Sequence, residues 1–166
     1  MQQLGIDLTE HVPEILSVSA EVLAETLAGT ALSLPPEHTL EPLAGLIVDL
    51  ADVSLLHPHD PMAHERKVAA AVRYGERRRE EGASERIIFA EFAALREALR
   101  RYLGRCGRPR AIVREARIRL DMASSVAELA AIRCYHRAEF ERVGLWETLI
   151  NRLARESPLL DLPLPR

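Results

Sequence analysis

Tyr74–Leu99 reads YGERRREEGASERIIFAEFAALREAL, and the fold follows from it. Two helical stretches meet at a glycine. Gly82 suits the left-handed position just past a helix end, where a side chain would be strained. Ser84 is a fitting N-cap for the next helix, although Ile87 three residues on denies it a full capping box. After it, Ile88, Phe92, Leu95, Leu99 and Tyr102 step by four and three, the spacing of one helix face. The spacing predicts an antiparallel hairpin with its turn at Gly82 and its seam on those five residues.

The same periodicity extends outward. Residues 9–29 read as a first helix, with Thr9 as a cap and Pro13 in the first turn, where proline is tolerated. Residues 34–38 form a loop, and 41–56 a second helix. The run HPHDP at 57–61 is a turn with two helix breakers. The hairpin helices span about 61–81 and 84–103. A long fifth helix begins near Pro109 and continues to about Arg155. Along it Val113, Ala116, Leu120, Ala123, Ala127, Ala130 and Cys134 alternate steps of three and four. These residues are small, so the helix facing them must approach closely. The expectation is an all-α bundle of about five helices with a long C-terminal helix. Residues 1–156 form one domain and 157–166 a tail or the start of a linker.

Composition agrees with that fold class. Hydrophobic residues make up 48 % of the 166-residue chain and aromatics only 4 %, so the apolar content is aliphatic. Leu, Ala, Arg and Glu are strong helix formers. No run of about 18 apolar residues exists, so no membrane span is expected. The N-terminus lacks the basic start and apolar run of a signal peptide. Cys106 and Cys134 lie in helical patterns, and reduced thiols in a cytoplasmic protein are the expectation.

The net charge of −3 hides an asymmetry. Residues 1–65 hold eleven acidic side chains and no Lys or Arg; residues 66–166 hold all 22 basic residues and the other 14 acidic ones. Acidic helices lying beside basic ones would cancel much of this. The excess of Arg, 21 to a single Lys, reflects composition rather than nucleic-acid binding.

The pattern aromatic-Gly-x-x-Arg-x-x-x-Gly at 74–82, followed by Glu91-Phe92-x-x-Leu95-Arg96, resembles the N-terminal sensor domain of RsbT co-antagonist proteins of the RsbRD type. The same module precedes some bacterial sensor histidine kinases. The likeness is good over residues 66–100, looser over 110–140 and weak before residue 60. That family usually carries His-Gly where this chain has Tyr74-Gly75. The resemblance implies no reaction. It implies a regulatory input or interaction domain. The expectation is one that works by helix rearrangement within a homodimer, a symmetric pair of long fifth helices covering the small-residue seam, with a kinase, a STAS-domain protein or an anti-sigma regulator as partner.

Four polar residues of the hairpin are the candidate site: Tyr74, Arg78, Glu91 and Arg96. Arg78 near one helix end and Glu91 two turns into the next can meet across the hairpin. They then form either a structural clamp or a polar pocket. The rest of the run at 77–81 reads as a solvated face. His57, His59 and His64, with Asp60, have metal-binding chemistry but sit mostly in a turn, so neither metal nor cofactor is expected. A metal- or haem-binding bundle is the first rival reading. A helical histidine phosphotransfer protein using His64 is the second. No nucleophile motif or phosphate loop is present, and no enzyme is expected.

Overall fold

Apolar runs separated by Pro, Gly or a polar kink become helices in a simple order. They are α1 (Gln2–Glu10), α2 (Val12–Leu27), α3 (Leu43–Ala51), α4 (Pro61–Glu80), α5 (Glu85–Arg105) and α6 (Arg110–Tyr135). A π-helical turn, Asp52–Leu56, extends α3. The computed structural model describes residues 1–136 except 29, 31, 33 and 35–38. The protein is all-α, with no strand among the described residues. The chain divides into two units, Met1–Tyr135 and His136–Arg166, and the helices above belong to the first. The expected continuation to Arg155 and the tail at 157–166 lie outside the described residues.

The hairpin turns at Gly82, which has φ of 72°. Gly82 N–H bonds the Arg79 carbonyl at 3.0 Å and Ala83 N–H bonds that of Arg78 at 3.0 Å. That pair of bonds is a Schellman motif, and it satisfies carbonyls that the helix end would leave open. At the other end of α4, Asp60 Oδ1 accepts from Met62 N–H at 2.9 Å, with Pro61 as the first helical residue. Ser84 occupies the N-cap of α5 in extended conformation, but its side chain makes no capping bond. Its carbonyl instead receives the Ile87 and Ile88 N–H groups.

The first helix differs from expectation. Residues 9–29 are not one helix, because the chain kinks at His11. Pro13 has no N–H to continue a ladder from α1, yet it fits the first turn of α2. Thr9 is therefore inside α1, its hydroxyl bonded to the Ile6 carbonyl, rather than a cap. Leu4 and Leu8 are buried. Gly5 lets α1 approach the π turn, where a Cβ would lie 2.6 Å from Leu56 Cδ2.

On α5, Ile88, Phe92, Leu95 and Leu99 are fully buried and Tyr102 is half-buried. α2 packs against α5, and α3 against α4. α6 packs against both α4 and α5. Its buried residues are Ala116, Leu120, Ala123, Ser124, Ala127, Ala131 and Cys134. The small-residue seam is therefore covered within the chain, chiefly by α4, with α5 and the π turn beside it. Val113 and Ala130 sit half-buried at its edge, and Ala131 takes the inner place expected of Ala130. The close approach occurs at Gly75, where a Cβ would lie 2.8 Å from the Ala131 carbonyl carbon.

The acidic and basic halves do meet. Arg108 pairs with Asp7 at 2.6 Å, Arg66 with Asp52 at 2.5 Å and Arg101 with Glu25 at 3.9 Å. These pairs are partly exposed and each contributes little to stability. No helix among the described residues is long and apolar enough to cross a membrane.

Candidate functional site: a buried polar clamp

Arg78 is fully buried, and among the side chains buried to that degree it is one of the largest. A guanidinium without water needs nearly all its donors satisfied. Nη2 lies 2.6 Å from Glu91 Oε1 and donates to the Thr39 carbonyl at 2.6 Å. Nη1 donates to Glu81 Oε2 at 2.5 Å. Nε donates to Glu91 Oε2 and to the Tyr74 hydroxyl, each at 3.2 Å. The Tyr74 hydroxyl in turn donates to Glu91 Oε2. The Arg78 guanidinium carbon sits 5.1 Å from the centre of the Tyr74 ring, whose edge meets Phe92 at 5.7 Å between centres.

Helix spacing explains the convergence. Tyr74 and Arg78 are one turn apart on α4 and share a face. Glu91 lies on the facing side of α5, among Ile87, Ile88 and Phe92. Arg78 is also the residue whose carbonyl closes the Schellman turn. The clamp and the turn therefore define the hairpin register together.

Electrostatics reflect the burial. Burial pushes the Glu91 carboxyl up to about 7, although Arg78 and Tyr74 pull it the other way. Burial alone would lower Arg78, but the Tyr74 oxygen and Glu91 hold it above its ordinary value. Burial, with the neighbouring Glu91, pushes the Tyr74 hydroxyl well above its usual range.

Tyr74, Arg78 and Glu91 thus meet in one cluster. Arg96 does not join them: its Nη1 bonds Glu128 of α6 at 2.6 Å, a separate tie between α5 and α6. Glu81, read from sequence as solvated, is an Arg78 partner, and Thr39 brings the loop before α3 to the clamp. Neither was legible in advance, because one depends on the turn and the other on a backbone carbonyl far away in sequence. Lys67 was also missed. The only lysine of the chain is 3 % exposed on α4, and among the described residues no hydrogen bond or ion pair holds it.

The histidines lie elsewhere. His57 Nδ1 is 2.5 Å from Asp52 Oδ1, and His64 Nε2 is 3.2 Å from the Pro58 carbonyl. His59 is exposed. Among the described residues no group of His, Cys, Asp and Glu converges as a metal-ligand set. Both cysteines are free thiols. An open groove of about 310 Å³ runs beside the clamp between α3 and α4, lined by Pro42, Leu46, Asp49, Arg73, Tyr74 and Arg77 among others. Burial pushes the Asp49 carboxyl up there, against Arg66 and Arg73.

No protein-family model, no curated protein and no solved structure matches this chain.

Proposed function

We propose that this chain is a non-catalytic regulatory input domain of bacterial signal transduction, cytoplasmic, which acts through helix rearrangement and protein–protein contacts. The observation that carries the reading is the clamp. Two of the residues by which the sequence resembles the RsbRD-type sensor domain, Arg78 and Glu91, are buried against each other and against Tyr74, which stands where that family usually carries His. A third, Gly75, is the contact point with α6. They tie two helices and a loop in one register, so they act as a structural element that a signal can bias. A buried cluster of this kind offers no substrate a nucleophile. The partners that fit the reading are a kinase, a STAS-domain protein or an anti-sigma regulator.

The test is binding of the purified chain to each of those three classes, followed by amide hydrogen exchange across α4 and α5. Binding that changes exchange at the hairpin is the expected result. No binding to any of the three would sink the reading. The open groove beside Tyr74, lined by Asp49, Arg73 and Arg77, favours a second reading, a receptor for a small polar metabolite. A thermal-shift screen separates the two, because only a receptor gains several degrees from one compound.

A further inference from the structure

α6 is apolar on two opposite faces. One is the seam against α4. The other is a stripe of Ile118, Met122, Val126 and Leu129, which are 49, 67, 47 and 69 % exposed. Their steps of four, four and three keep them on one side of the helix, over roughly 16 Å of its length. Leu129 and Met122 are the two most exposed large apolar side chains among the described residues. Contiguous apolar stripes of this kind mark interaction surfaces.

We propose that this stripe is a homodimer interface, with α6 of one copy packed antiparallel on α6 of a second copy about a two-fold axis near residue 124. The charges beside the stripe select that occupant and that direction. In a two-fold antiparallel pair, residue i faces j and j faces i when both are equally far from the axis. Met122 and Val126 share a midpoint at residue 124. So do Glu115 and Arg133, which are five full turns apart and therefore lie on the same edge of the stripe. Ile118 and Leu129 share a midpoint only half a residue away. The pairing sets Met122 against Val126, Ile118 against Leu129, and Glu115 against Arg133, each twice. Arg133 is exposed and makes no ion pair within the described residues. Glu115 is exposed and, among the described residues, bonded only to Arg119 on its own helix.

A parallel pair would instead place Glu115 on Glu115 and Arg133 on Arg133. It would also lay the arginine-rich start of α6, with Arg110, Arg114, Arg117 and Arg119, beside its own copy. The antiparallel pair sets that half against the less basic end. This interface is not the small-residue seam, which α4 already fills. It adds a partner to the regulatory reading above without depending on it.

Sedimentation velocity of the full chain tests the proposal. The expected wild-type mass is about twice 18.6 kDa at concentrations near 100 μM. Leu129→Glu should keep its helical circular dichroism and weaken the dimer at least tenfold. If that variant loses its helical signal, Met122→Gln serves in its place. Glu115→Arg and Arg133→Glu should each weaken association, and the double exchange should restore it. A monomeric wild type overturns the proposal, as does a Leu129→Glu dimer as tight as wild type or a double exchange that fails to restore pairing.

Discussion

Gly75 of α4 rests directly on the backbone of Ala131 in α6: a Cβ at position 75 would lie 2.9 Å from the Ala131 Cα. The neighbour is main chain, which cannot rotate away as a side-chain tip can. Gly75→Ala should therefore cost at least the 1–3 kcal/mol typical of an overpacked core, about the upper end of that range. Ala131→Gly should not rescue it, because the clash is with the carbonyl group as well. Urea unfolding midpoints of the single and double variants check both statements.

Arg78→Met removes the donor shared by Glu91, Glu81 and the Thr39 carbonyl. It leaves Glu91 buried without its cation, and such losses cost about 3–5 kcal/mol. The cost should grow with pH. Without Arg78 the Glu91 carboxyl moves further up, so ionising it in the folded state becomes harder. Chemical unfolding at pH 5 and pH 8 measures the difference, and an equal cost at both would refute it.

Tyr74→Phe keeps the ring against Phe92 but deletes the hydroxyl between Arg78 and Glu91. Glu91 Oε2 loses one donor and Arg78 Nε loses one acceptor, in a place water does not reach. The expected cost is about 1–3 kcal/mol, read from thermal unfolding.

Glu91 also gives the wild type a pH signature. Its folded-state value, raised to about 7, exceeds the ordinary carboxylate value of 4.5. The folded state then binds this proton more tightly than the unfolded state. The contribution to stability is complete below about pH 4.5 and is lost as pH rises to about 7. Asp52 and Glu81 act in the opposite sense. Burial would raise both, but hydrogen bonds from His57 and Arg66, and from Arg78 and Arg77, hold them below their usual values. Their contribution is lost as pH falls below about 4. Stability should therefore peak in mildly acidic solution, near pH 5, and decline on both sides. A peak at pH 8 in a thermal-unfolding series would count against the assignment.

Lys67→Met should stabilise the protein by about 0.5–2 kcal/mol, because it keeps the packing stem and removes a desolvated amine. Burial lowers the Lys67 amine below its usual value. The wild type therefore gains stability as pH rises through that lowered value toward 10.5, and the advantage of the variant should shrink in the same range. Calorimetry at pH 7 and pH 10 tests the magnitude and the trend.

The turn at Gly82, the seam from Ile88 to Leu99 and the small face of α6 were legible because each rests on local periodicity or on one backbone angle. The break at His11 rests on Pro13, a local signal that the helical period over 9–29 masks, whereas the cover that α1 finds against the π turn, through Gly5 and Leu56, lies beyond local periodicity. The Arg78–Glu91 pair could be anticipated from two helices of known length joined at a known turn. Arg96 could not be placed, since α6 decides whether it faces the clamp or Glu128.

What the sequence determined by itself is the helical class, the hairpin register and the candidate clamp, all set by spacing of 3.6 residues per turn and by residues that end helices. The tertiary structure decided which helix covers which face. The alanine seam of α6 could have faced another copy or its own chain, and periodicity reads the same in both cases. Gly75 settles it: only a position without a Cβ admits the α6 backbone, so α4 takes the seam and the stripe from Ile118 to Leu129 is left facing outward.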